Sequence, residues 1–123
     1  DAEGNANLTK KLSFNSKAPG MLKSHYAPRI PLFIAKHGID ELIKKHEDKK
    51  IGILSFTKQY SNISFEKQRI LSPKGNFSEA AHNLFAYLRE LDAMDLDIIL
   101  TELLPEKDLG RAINDRITRA AAH

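Results

Sequence analysis

Cysteine is missing from all 123 residues. Disulfides, thiolate metal sites and cysteine nucleophiles are therefore excluded, and the lack of cysteine fits a cytoplasmic protein. No apolar run nears the roughly 20 residues that span a bilayer, so no membrane association is expected. The start of the chain lacks a secretory signal pattern. Neither Gly-x-x-x-x-Gly-Lys-Ser/Thr nor Gly-x-Gly-x-x-Gly occurs; Gly38, Gly52 and Gly110 stand alone. No nucleophile elbow is present. The five histidines (His25, His37, His46, His82, His123) show no His-x-x-x-His spacing, so no metal ligands are expected. Nothing in residues 31–123 reads as a self-sufficient active site.

What is present is ordinary for one globular domain: 41% hydrophobic and 28% charged residues. The net charge of +3 is unevenly placed. Residues 1–30 carry five cations and two acids, whereas residues 31–123 carry fourteen of each sign. A cationic leading segment suits a small anion such as a nucleotide phosphate. Direct duplex binding is not expected, because no dense basic stripe marks a folded face.

The most informative stretch is Ala18-Pro19-Gly20-Met21-Leu22-Lys23-Ser24-His25-Tyr26-Ala27-Pro28. It cannot be a helix, since Pro19, Pro28 and the nearby Pro31 lack backbone donors and push their predecessors toward extended geometry. Pro19-Gly20 suits a tight turn. Residues 1–17 are read as a flexible leader, 18–30 as an extended arm and 31–123 as the folded domain.

Within that domain, Leu32-Phe33-Ile34-Ala35 and Ile51 to Phe56 are apolar runs expected as buried strands. Between them Ile39, Leu42, Ile43 and His46 mark one helical face. Thr57 to Gln68 has no clear period, and its Tyr60 and Phe65 are expected to pack down. Arg69-Ile70-Leu71 is a brief third strand. Asn76-Phe77-Ser78-Glu79 resembles a capping box, opening a strongly amphipathic helix that runs to about Asp92. Ile98 to Leu103 is a fourth strand, and Leu109, Ala112, Ile113, Ile117, Ala120 and Ala121 line a closing helix. Strands apolar on both faces, alternating with helices, imply a three-layer Rossmann-like α/β unit with a mostly parallel sheet of four to five strands.

Parallel sheets bind ligands beyond the carboxyl ends of their strands. That rim would hold Lys36, Thr57, Ser72 and Glu102. Glu102 and Arg111 are the rim candidates, although a structural role for Glu102, capping or pairing with Arg111 or Arg116, is the more ordinary expectation. Asn114-Asp115-Arg116 reads as a solvated or ion-paired face.

The arm resembles the interdomain linker of the two-domain, Sua-type threonylcarbamoyl-AMP synthases, a YrdC-family group whose linker commonly reads Ser/Ala-Pro-Gly-Met-x-x-x-His-Tyr-Ala-Pro. Ala80 to Asp92, and Gly110 to Arg116 followed by Arg119-Ala120-Ala121, resemble the C-terminal domain of the same family. The resemblance implies an intact enzyme that makes threonylcarbamoyl-AMP from L-threonine, bicarbonate and ATP. A downstream tRNA threonylcarbamoyl transferase would then use the product on an adenosine of tRNA. It implies that the chemistry, with ATP and Mg²⁺, belongs to an N-terminal YrdC-like domain that this sequence lacks. Asp1 in place of Met agrees with a longer parent protein. No cofactor and no catalytic residue are expected here. The arm would act as a lid: Gly20, Met21 and Tyr26 against the nucleotide, with Lys23 and His25 facing the polyphosphate or pyrophosphate. Leu22, Lys23 and Ser24 depart from the Tyr and Arg that many members carry. The alternatives are a free-standing nucleotide- or protein-binding α/β module and, third, a small hydrolase built around Glu102.

Overall fold

A computed structural model describes residues 27–122. The leader and most of the arm, including Gly20, Met21, Lys23, His25 and Tyr26, lie outside the described residues. Four apolar runs form strands: β1 (Leu32–Ala35), β2 (Ile51–Ser55), β3 (Gln68–Ile70) and β4 (Ile98–Glu102). All pair in parallel, in the order β1-β4-β2-β3. β4 is the last strand in sequence yet sits second in space, with Leu100 opposite both Phe33 of β1 and Ile53 of β2. Flanked on both edges and covered on both faces, β2 and β4 read as unbroken apolar runs rather than alternating ones.

Three helices cover the sheet: α1 (Ile39–Lys45), α2 (Phe77–Asp92) and α3 (Leu109–Ala121). α1 opens with Asp40 and Glu41 and closes with Lys44 and Lys45, matching its dipole. It buries Ile39 and Ile43 against Ile53 and Leu100, with Tyr60 beside them. α2 and α3 cover the opposite face, where Leu84, Leu88, Ile113 and Ile117 meet Leu54 and Ile99. Each such fully buried aliphatic side chain contributes about 2 kcal/mol. The assignment of faces follows from connection handedness. The chain moves one way across the sheet from β1 to β2 and the other way from β3 to β4. Right-handed crossovers therefore place α1 and α2 on opposite sides.

The start of α2 modifies the expected capping box. Asn76 Oδ1 accepts the Glu79 N–H at 2.8 Å, as a cap should. The reciprocal half runs through Ser72 instead. Its hydroxyl accepts the Asn76 N–H at 2.8 Å and donates to Glu79 Oε1 at 2.6 Å.

Strand ends shift by a residue: β2 stops at Ser55 and β4 at Glu102, and β3 spans Gln68–Ile70, not Arg69–Leu71. Gln68 is the reason the β2–β3 loop is ordered. Its Oε1 accepts the Tyr60 N–H at 2.8 Å, and its Nε2 donates to the carbonyls of Tyr60 (2.6 Å) and Ile63 (2.8 Å). Tyr60 packs down as expected, but Phe65 does not: it is 68% exposed. Phe65 opens a single 3₁₀ turn, Phe65–Lys67, just before edge strand β3, where no further layer among the described residues extends to cover it.

Candidate functional site

The polypeptide leaves β1 toward the α1 face and leaves β4 toward the α3 face. Neighbouring strands whose exits diverge leave a crevice at their carboxyl ends, the usual place for a ligand in an open parallel sheet. Here a hollow of about 670 Å³ lies between the two exits. Ile34, Lys36 and Gly38 come from β1 and its loop, Glu102 and Leu103 from β4, and Thr118 from α3. Gly38 has φ of 103°, a backbone that L side chains avoid, so the tight passage from β1 into α1 requires glycine there.

Glu102 has a defined structural task. Its Oε2 accepts the Phe56 N–H at 3.1 Å, capping the end of β2. The same end of the sheet holds Tyr60, whose phenol is pushed up to about 12 by burial first and then by the negative charges of Glu102 and Asp40. The Lys58 ammonium stands 5.0 Å from the centre of the Tyr60 ring. Arg111 does not join Glu102. It lies on α3 with its Nε donating to the Glu106 carbonyl at 3.3 Å, and Arg116 donates to the Ala112 carbonyl at 3.2 Å. The rim is thus not an Arg–carboxylate pair. Of the other rim candidates, Lys36 lines the crevice and Ser72 is buried at the start of α2.

The buried serine and threonine hydroxyls are committed to the backbone or to a cap. Ser55 donates to the Lys58 carbonyl and Thr101 to the Leu54 carbonyl, at 2.6 and 2.7 Å. Among the described residues no three His, Asp or Glu side chains gather as metal ligands. No described helix is long and apolar enough to cross a membrane. The crevice brings together a cation (Lys36), a carboxylate (Glu102) and a hydroxyl (Thr118) beside apolar Ile34 and Leu103.

Three residues with defining roles escaped the sequence reading. Asn114 is not a solvated residue. It is buried, accepting the Leu104 N–H at 2.7 Å and donating to the Leu104 carbonyl (2.8 Å) and Glu106 Oε2 (2.6 Å). Its neighbour Asp115 does form the expected surface pair, with Arg119 at 3.1 Å. Gly110 lets the start of α3 approach the Pro105 carbonyl so closely that a Cβ there would lie 2.1 Å from its oxygen. Asp92 fastens the entry of the arm, accepting the N–H groups of Arg29 and Ile30 at 3.0 and 2.8 Å. Signals existed for two of them. Asn114 falls four residues after Gly110 and one after Ile113, on the buried stripe of α3, and Asp92 is an acid at a helix C-terminus, against the dipole.

Comparison with known proteins adds the following. The family model for the threonylcarbamoyl-AMP synthase C-terminal domain matches residues 3–122. The chain is 32% identical over 117 residues to the threonylcarbamoyl-AMP synthase of Pyrococcus abyssi (strain GE5 / Orsay), covering 88% of this chain and 33% of the relative. It is 28% identical over 109 residues to that of Bacillus subtilis (strain 168), covering 85% and 32%. The crystal structure of P. abyssi Sua5 complexed with L-threonine matches with a TM-score of 0.65 and 32% identity, over 90% of this chain and 34% of that one. The chain spans about a third of the length of the curated relatives it matches.

Proposed function

This chain belongs to the threonylcarbamoyl-AMP synthase C-terminal domain family, and we propose that it is the lid-bearing, intermediate-retaining third of such an enzyme. The joined enzyme makes threonylcarbamoyl-AMP from L-threonine, bicarbonate and ATP, releases pyrophosphate, and feeds a tRNA threonylcarbamoyl transferase in the cytoplasm. ATP and Mg²⁺ belong to an N-terminal catalytic domain in this proposal, and no step of the chemistry is routed through residues 27–122.

The observation that carries the reading is the extent of the family match. It begins at residue 3 and so takes in the arm along with the α/β domain. An acyl adenylate is exposed to hydrolysis, so its site must exclude water while it forms and waits. A proline-stiffened arm that closes on the catalytic cleft supplies that exclusion. In this role Gly20 turns the chain, Met21 and Tyr26 give apolar cover, and Lys23 and His25 face the phosphates. The α/β domain anchors the arm. Glu102 serves the anchor by holding the end of β2 in register with β4, and Arg111 by fastening the loop that precedes α3.

The test is pyrophosphate release and threonylcarbamoyl-AMP yield from the joined enzyme carrying Lys23→Ala with His25→Ala. The expected result is weaker nucleotide affinity and less intact product per pyrophosphate released. Unchanged affinity and yield would refute the lid. The 123-residue chain alone is expected to release no pyrophosphate in the same assay.

A further inference from the structure

The arm meets the α/β domain at a clip built from one carboxylate. Asp92 closes α2, yet it reaches across to residues 62 and 63 positions earlier. Its Oδ2 accepts the Arg29 N–H at 3.0 Å and its Oδ1 accepts the Ile30 N–H at 2.8 Å. The Arg29 guanidinium returns a bond to the Asp92 carbonyl at 2.5 Å, and its Nε lies 3.8 Å from Oδ2. The Asp92 side chain is only 12% exposed. Charge-assisted bonds of this kind are about twice as strong as neutral ones and fix direction as well as distance.

Position matters as much as strength. A carboxylate at a helix C-terminus faces the negative end of the dipole, so this site is unfavourable for an acid unless a partner compensates it. The backbone of the arm's last residues supplies such partners. Beyond the clip the chain is already held: Ile30 is buried, and the Pro31 carbonyl accepts the Ile99 N–H at 2.9 Å beside β1. Before the clip come Ala27 and Pro28, both half-buried. Asp92 therefore grips the backbone at the junction between sheet and arm.

We infer that Asp92 is a positioning residue for the arm: by holding the peptide groups of Arg29 and Ile30, it sets the direction in which the arm leaves the α/β domain and so its fit to the catalytic domain. The inference rests on the lid reading above. A purely structural clip would steady β1 and affect stability alone; a positioning clip changes how well the product is kept.

The experiment uses the joined, two-domain enzyme with Asp92→Asn, which keeps the size of the side chain but replaces one acceptor with a donor. Arg29→Pro is the second variant; it removes the Arg29 N–H and the guanidinium contacts to Asp92, leaving the carboxylate only the Ile30 N–H of the contacts described above. Three quantities are read: amide exchange at Ile30, the melting temperature, and threonylcarbamoyl-AMP recovered per pyrophosphate released. The expected result is Ile30 exchange faster by about tenfold or more, a product yield per pyrophosphate that falls severalfold in both variants, and a KM for threonine and ATP that changes less than the yield. Lys23→Ala with His25→Ala runs alongside. If that pair lowers the yield while Asp92→Asn and Arg29→Pro free the Ile30 amide without touching it, the clip is structural and the inference is overturned with the lid intact. If the arm pair itself has no effect, the lid and the inference fall together. Should Asp92→Asn fail to fold, Arg29→Pro alone decides between these outcomes.

Discussion

Gly110→Ala puts the geometry of the α3 entry to a quantitative test. The added Cβ would stand 2.1 Å from the Pro105 oxygen and 3.3 Å from its carbonyl carbon, and the obstacle is backbone. Relief requires α3 and the Leu104–Asp108 loop to part by more than 1 Å, given that ordinary contacts begin near 3.4 Å. That movement stretches the Asn114 bonds to Leu104, both at or below 2.8 Å. Overpacking of this kind costs about 1–3 kcal/mol, and weakening a buried hydrogen-bonded pair adds about 1 kcal/mol. Alanine returns up to about 1 kcal/mol as a better helix former. The net expectation is a loss of about 1–4 kcal/mol, which in a domain of this size lowers the melting temperature by on the order of 5–30 °C. Gly52→Ala is the control. Its Cβ would meet Leu96 Cδ1 at 2.5 Å, the far end of a flexible side chain that can rotate away, so the loss should stay below about 1.5 kcal/mol. Thermal and urea unfolding of both variants gives the comparison. Gly110→Ala melting with the parent, or Gly52→Ala proving the more damaging of the two, would refute the close-approach argument.

Asn114→Ala strips both partners from a buried loop, leaving the Leu104 N–H and carbonyl without their present bonds; a loss of about 2–4 kcal/mol is expected, read as a lower urea midpoint at unchanged m-value. Tyr60 gives a pH signature. Its folded phenol holds the proton more tightly than the unfolded one, whose value is 10.0, and titrates at about 12. This stabilisation is complete below pH 10 and is lost as pH rises through about 12. Alkaline unfolding followed by phenolate absorbance should show a late-ionising fraction that is lost in Tyr60→Phe. A Tyr60→Phe protein that still shows it would contradict the assigned burial.

The layer architecture was legible because it rests on signals local in sequence. Ile51–Leu54 and Ile98–Leu100 are apolar on consecutive residues, which only strands buried on both faces tolerate, and α2 carries a long amphipathic repeat behind a readable cap. The order of strands was not legible. Nothing local says that β4 enters between β1 and β2; that follows from reversing the direction of travel after β3 under right-handed connections. The β2–β3 loop was opaque for a related reason. Gln68 orders it through bonds to Tyr60 and Ile63, and a glutamine gives no sign in sequence of which peptides it will hold. Phe65 misled because aromatic character says a ring prefers cover, whereas position at the sheet edge decides whether cover exists. At the crevice, Glu102 was found at its strand end, but its partner is the Phe56 N–H just past β2 rather than an arginine.

A common thread joins the polar residues that set this domain apart from an anonymous α/β layer. Asp92 holds the peptides of Arg29 and Ile30, Asn114 holds Leu104 at both its peptide groups, Gln68 holds Tyr60 and Ile63, and Glu102 holds Phe56. Each one fixes a segment just outside a strand or helix, where packing alone leaves the backbone free to wander. Catalytic side chains are arranged differently, since they must present a proton, a lone pair or a charge toward a reacting group. Side chains bound to loop peptides are suited to rigidity, and rigidity is what an arm needs at its root if its far end is to meet a second domain reproducibly. A few degrees of freedom at Ile30 would be magnified with each residue that precedes it, since a chain can reach about 3.3 Å further per residue. The clip at the end of α2 therefore fixes the direction in which the backbone enters β1.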